Sequence, residues 1–267
     1  MNKINLYNNF LRIMMLMWLS TNVIANKLDA TEILKNIHLR ERGTDLIWDV
    51  TIDLIDHNGS IRKRTGKIFR RMLENNRNEQ VTVFLSPTNI RYTALLEIET
   101  ENAEDYMWLY IPALKATKRI PPAGRGDKFV GTDFTMEDVN LGFKYQDYVG
   151  NVQAIKQEQG HPIAIMRIAP KTNDLKRDLG FDYSIAKVRT DQYIIIEQSF
   201  FKNDREIRRN TAVNIQTITG ILTPMEINSL DLINDHRTTL RLKKATYNSN
   251  LSPSLFKKET LAREMYQ

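Results

Sequence analysis

The chain has 267 residues, no cysteine, and 38 lysines and arginines against 32 aspartates and glutamates, for a formal charge of +6. The absence of a thiol excludes a structural disulfide, a thiolate metal site and the lipidated cysteine that tethers a bacterial lipoprotein. The start of the chain reads as a secretory signal: Lys3 and Arg12 precede or enter an apolar run, Phe10–Leu19, and Val23-Ile24-Ala25 offers a small-residue cleavage pattern ahead of Asn26. An uncleaved membrane anchor is the other reading, but an apolar core of roughly ten residues is short against the ~20 that span a bilayer. Loss of residues 1–25 removes two cations and leaves a charge of +4 on residues 26–267. No linker composition divides that stretch, which reads as a single exported, periplasmic domain.

A short helix comes first, Thr31–Arg40, with Ile33, Leu34 and Ile37 on one stripe and Gly43 as its stop. The clearest alternation follows: Leu46, Trp48, Val50, Ile52 and Leu54 share one strand face, and Asp49, Thr51 and Asp53 populate the other. Asn58-Gly59 predicts a two-residue type I′ turn into a return strand, Ile61–Leu73. Further strands are predicted at Gln80–Leu85, Ala94–Glu99, Met107–Ile111, Ala116–Ile120, Phe143–Tyr148, Ile163–Ala169, Tyr193–Phe201, Ile207–Val213, Met225–Leu230 and Thr238–Ala245. Turn residues at Ser86-Pro87, Gly160, Asn203-Asp204 and Gly220 separate many of them, which is the pattern of an antiparallel meander. Thr132 or Asp133 is the expected N-cap of a helical turn near Glu137 and Asp138, and a basic amphipathic helix, Pro253–Met265 capped by Ser252, closes the chain.

The expected fold class is mainly β (α+β): a strongly curved antiparallel sheet lidded by a few short helices. A sheet of this length curls or closes, and a half-closed barrel leaves an apolar concavity that suits a greasy ligand. A packed core without a cavity has the same periodicity.

Enzymatic patterns are missing. His38, His57, His161 and His236 lack metal-ligand spacing, so neither metal nor cofactor is expected. Gly124-Arg125-Gly126 lacks the Lys-Ser/Thr of a phosphate loop, and no nucleophile elbow is present. Asp133, Glu137 and Asp138 are close enough to suggest paired carboxylates, but capping and turn-fixing explain them. Six cations, Arg62, Lys63, Arg64, Lys67, Arg70 and Arg71, split between the two faces of a strand. They read as a solvated strand or a contact for lipid head groups or an acidic partner. No nucleic acid is expected, because Phe69 is the only aromatic among them.

The run from Trp108 through Tyr110, Pro112 and Lys115 to Arg119-Ile120, and then Gly131-Thr-Asp133-Phe134-Thr-Met-Glu-Asp138, resembles the signature of the outer-membrane lipoprotein-sorting protein family. The arginine-rich second strand of the first hairpin, the Phe84-Leu-Ser-Pro87 step and the closing Leu255-Phe256 and Leu261 agree with it. Arg91-Tyr92-Thr93 and Val188-Arg189 depart from the family pattern. The resemblance implies the fold of the periplasmic lipoprotein carrier and its outer-membrane receptor, an unclosed half-barrel of about eleven strands lidded by helices. It further implies a non-enzymatic, monomeric binder of the acyl chains of lipoproteins or other lipids, linked to an inner-membrane export pump of the resistance-nodulation-division type and an outer-membrane acceptor. The alternative is an accessory or sensing subunit of such a pump without cargo. The expected lining is Trp48, Val50, Ile52 and Leu54, with Phe84, Leu96, Trp108 and Tyr110 as weaker candidates. Pro112, Arg119, Gly131, Asp133, Phe134 and Asp138 are expected to be structural. An arginine pins the lid in such carriers, and no motif marks it here.

Overall fold

In a computed structural model, the structure describes residues 29–100, 105–139 and 144–262; the predicted signal segment and the end of the predicted C-terminal helix lie outside them. Thirteen strands form one antiparallel sheet: β1 Asp45–Ile55, β2 Ile61–Met72, β3 Asn78–Ser86, β4 Ala94–Ile98, β5 Tyr106–Ile111, β6 Ala116–Ile120, β7 Tyr148–Glu158, β8 His161–Pro170, β9 Tyr183–Arg189, β10 Ile194–Lys202, β11 Arg205–Ile218, β12 Ile221–Asp231 and β13 His236–Tyr247. Their spatial order is β6-β5-β4-β3-β2-β1-β13-β12-β11-β10-β9-β8-β7. Two meanders are thus joined where the first strand meets the last, with Leu46 opposite Tyr247 and Val50 opposite Leu242. The outermost strands β6 and β7 do not pair, so the barrel is not closed.

Curvature has local causes. Register shifts interrupt the pairing at Asp49/Val50, Thr65/Gly66, Val152/Ala154, Ile195/Glu197 and Phe200/Phe201, and such bulges bend a strand and increase its twist. Gly66 sits at one of them, where a Cβ would lie 2.6 Å from the Val83 carbonyl oxygen, so no larger residue fits the close approach of β2 and β3.

Three apolar groupings hold the sheet. On the inner face, Leu46, Trp48, Val50, Ile52 and Leu54 pack with Phe84, Leu95, Phe129 and Met136. Farther along the sheet, helix α1, Ala30–Leu39, buries Ile33, Leu34 and Ile37 against Tyr148, Ala164 and Met166. Asp29 caps this helix by accepting from Thr31 N at 2.9 Å. On the outer face, Phe69, Val81, Val83 and Leu96 meet Phe256 and Leu261 of the C-terminal segment.

Several expectations need correction. The Asn58-Gly59 connection is a turn over Asp56–Gly59 in which only Gly59 has positive φ, +80°; the Asp56 carboxylate accepts from Asn58 N and Ser60 N, which favours this wider loop over a type I′ turn. Of the predicted strand Phe143–Tyr148, Phe143 lies outside the described residues, Tyr145–Asp147 form a 3₁₀ turn, and the strand begins at Tyr148. Most of β7 is half-exposed or exposed, and its apolar Val149 and Ile155 are among the exposed residues, so its sequence carries little alternation. Strand β9 also escaped prediction, because the residues it buries are mostly small: Ser184, Ala186 and Val188. Helix α2, Met136–Val139, is opened not by Thr132 or Asp133 but by Thr135, whose N donates to Asp138 Oδ2 at 2.7 Å while Asp138 N donates back to Thr135 Oγ1 at 3.2 Å. A further helix, α3 Asn173–Leu179, is capped by Thr172 and stopped by Gly180 at φ +79°. Over its described residues the predicted C-terminal helix is replaced by two 3₁₀ turns, Pro253–Phe256 and Lys258–Thr260, although Ser252 does cap the first. The strand count is thirteen, above the expected eleven or so.

Candidate ligand cavity

The inner face is not filled. Between the grouping on β1 and the one under α1 lies a cavity of about 260 Å³, and its apolar wall comprises Ile194, Ile195 and Ile196 of β10, Ala212 of β11, and Leu222 and Ile227 of β12. Three consecutive isoleucines can line it because the register shift between Ile195 and Glu197 leaves Ile196 unpaired and breaks the alternation of faces. Leu46, Trp48 and Tyr247 form the opposite wall, where Trp48 Nε1 donates to Tyr247 Oη at 3.2 Å and Tyr247 Oη lies 2.6 Å from Thr223 Oγ1. Both aromatic polar tips are thereby satisfied without drawing water into the wall.

A second cavity of about 220 Å³ continues along the same face and shares Asp138, Ile195, Gln198, Asn210 and Ile227 with the first. Phe134, Leu179, Phe181 and Phe200 line it. The partition between the two is polar. Arg208 makes a short ion pair with Asp138 and lies 4.0 Å over the Phe200 ring, and Asn210 Nδ2 donates to Asp138 Oδ1 at 3.1 Å. Strand β11 is tied to α2 at this point.

Of the expected lining residues, only Trp48 faces the cavity. Val50, Ile52, Leu54 and Phe84 share its face but are packed in the inner grouping, with Phe84 stacked on Phe129 at 5.4 Å. Leu96, Trp108 and Tyr110 lie on the outer face beneath the C-terminal segment. The apolar wall of this cavity is on β10–β12, which the sequence reading did not single out. A signal for it was present in Ile194-Ile195-Ile196, but a continuous apolar run does not show which residues face a ligand.

The motif residues form a clamp beside the cavity. Asp133, 1% exposed, accepts from Lys128 Nζ at 2.9 Å and Thr238 Oγ1 at 2.8 Å, and its side chain also contacts His236 Nδ1; its carbonyl accepts from Ser229 Oγ at 2.9 Å. This fastens the loop before α2 to the hairpin of β12 and β13. Gly131 has φ +69°, and Phe134 projects into the second cavity. Pro112 opens the 3₁₀ turn after β5, and Arg119 lies 5.4 Å over Tyr106, which stacks on Trp108.

Buried charges flank the second cavity. Burial pushes the Glu137 carboxyl up to about 7, opposed by Arg125 and reinforced by Asp105 and Asp138, and burial also holds Glu97 well above the carboxylate range. A carboxyl raised in the folded state binds more protons there than in the unfolded chain, so its contribution to stability falls as pH rises from about 4.5 to about 7 and is flat beyond. Glu137→Gln is therefore expected to match the wild type near pH 4.5 and to exceed it at pH 8 by on the order of 1–3 kcal/mol. Urea unfolding at both pH values checks this, and an equal difference at the two would contradict it.

The arginines give one end of the first cavity a cationic character. Arg40, Arg42 and Arg70 all line it. Arg40 Nη1 donates to the Leu222 carbonyl at 3.0 Å, Arg42 Nη2 to the Ile37 carbonyl at 2.9 Å, and Arg70 Nη2 makes a short bond to the Arg42 carbonyl. Through Arg70, β2 is tied to the loop that leaves α1.

A family model described as an uncharacterized protein matches residues 76–263. No curated protein matches the chain. An outer membrane lipoprotein-sorting protein domain from Vibrio parahaemolyticus is similar in structure with a TM-score of 0.80 at 21% identity, covering 88% of this chain and 98% of that one. A DUF1329 family protein from Desulfovibrio piger follows at 0.79 and 19%, covering 86% and 97%. A LolA superfamily protein from Nitrosomonas europaea superimposes at 0.67 and 14%, covering 87% and 99%. At these identities the likeness is one of fold.

Proposed function

The chain belongs to the uncharacterized-protein family whose model it matches over residues 76–263, and from this premise we propose that it is a periplasmic carrier that shields an acyl chain of a lipoprotein or another lipid. The observation that carries this reading is the pair of adjoining cavities on the inner face, about 260 and 220 Å³, with apolar walls on β10–β12. Together they reach the size range of ligand sites, roughly 300–1,000 Å³. Each methylene moved from water into such a wall contributes about 0.8 kcal/mol, which is the driving force a carrier needs and requires no chemistry on the cargo. The likeness in fold to a lipoprotein-sorting domain and a LolA superfamily protein supports the same reading. Loading and release involve α1, α2 and α3, the helices that border the cavities, and the exchange partners are an inner-membrane export pump and an outer-membrane acceptor.

Titration of a fluorescent fatty acid into the purified protein tests this. Saturable 1:1 binding, displaced by unlabelled fatty acid, is expected. Absence of binding would overturn the carrier and favour an accessory subunit of an export complex that holds no cargo.

A further inference from the structure

The first cavity has two chemically distinct ends. Its body is aliphatic, but Arg40, Arg42 and Arg70 converge at one end, and the acids in its wall are paired with other cations: Glu197 with Lys187 at 3.4 Å, and Asp138 with Arg208. Neither Arg40 nor Arg70 has a carboxylate within ion-pair distance among the described residues. Arg70 is 0% exposed, and its Nε and Nη1 have no hydrogen-bond partner. A buried guanidinium with orphaned donors costs free energy that a neutral chain does not recover, whereas an anion that reaches the half-buried Arg40 and Arg42 would offset the charge of Arg70 beside them. Burial, reinforced by Arg40 and Arg70 and opposed by Glu99, lowers Arg42 to about 9, and burial, opposed by Tyr247, Glu41 and Asp45 and reinforced by Arg40, lowers Arg70 to about 10. Arg40 and Arg42 are only half-buried, so a head group entering the cavity can reach them.

We infer that the ligand is an amphiphile with an anionic head, its phosphate or carboxylate held at the Arg40, Arg42 and Arg70 end and its chain lying along Ile194–Ile196. This rests on the carrier reading and adds the class of head group to it.

Calorimetric titration of the full chain with probes of one length separates the possibilities: dodecyl phosphate and laurate as anions, dodecanol as the neutral chain, and inorganic phosphate as the free anion. Both anionic amphiphiles are expected to bind at least about tenfold more tightly than dodecanol, and Arg40→Gln should shrink that ratio. Arg70→Met is the second variant, subject to a check of folding by circular dichroism. Equal binding of anionic and neutral chains would overturn the head-group inference and leave the carrier standing. Binding of no alkyl probe would overturn both. Inorganic phosphate binding as tightly as dodecyl phosphate would make this a free-anion site, and an equal loss for all probes in Arg40→Gln would reduce Arg40 to a structural role.

Discussion

Ala212→Trp is expected to abolish fatty-acid binding, weakening it at least about thirtyfold, while the protein stays folded. Ala212 lies on β11 in the wall of the first cavity, so an indole there projects into the space the chain would occupy. Inserting bulk into a filled core costs about 1–3 kcal/mol through displaced neighbours, but here a void of about 260 Å³ receives it, and the melting temperature should change little or rise. Fluorescence titration and thermal melting, run side by side, give the two readouts. Wild-type affinity in a folded variant would move the chain out of this cavity.

Phe84→Ala should behave in the opposite way. Phe84 is 1% exposed, stacked on Phe129 at 5.4 Å, with the Arg64 guanidinium 5.4 Å from its ring. Arg64 also donates to the Val130 carbonyl at 2.6 Å, so the truncation loosens the clamp loop as well as leaving a void. A loss of about 3–5 kcal/mol is expected in denaturant unfolding. Because Phe84 does not line either cavity, the affinity of the remaining folded protein should be unchanged. A selective loss of binding without destabilisation would return Phe84 to the ligand wall.

The contrast between these two positions shows where the sequence was legible. Strict alternation from Leu46 to Leu54 identified β1 and its buried face, and most other strands announced themselves by apolar runs between turn residues. The strands that stayed hidden bury little that is large: β9 packs Ser184, Ala186 and Val188, and most of β7 is half-exposed or exposed. At the site the rule that found β1 gave an incomplete answer. Good alternation marks a face that fits its neighbours, and Val50, Ile52 and Leu54 are packed for that reason. The cavity lies where alternation fails, at the bulge beside Ile196, and the pairing register that creates it involves residues distant in sequence. Arg70 was hidden similarly. In a run of six cations nothing distinguishes the one that is fully buried, and it is singled out only because β2 places it opposite Leu46 under the loop that follows α1.

The conspicuous motif from Gly131 to Asp138 both positions the cavities and lines them, through Phe134 and Asp138. Asp133 fastens the loop to β12 and β13, Thr135 and Asp138 close a capping box, and Asp138 then reaches Arg208 at the partition between the cavities. Such a clamp fixes one rim of the first cavity, and the plainer isoleucines behind it form the apolar wall.

Native mass spectrometry of the protein purified from its own cells in detergent-free buffer tests the central claim most directly. A species heavier than the bare chain by the mass of one lipid, lost in Ala212→Trp, is the predicted result. A spectrum showing only the bare chain, from protein that also fails to take up added fatty acid, would contradict the account.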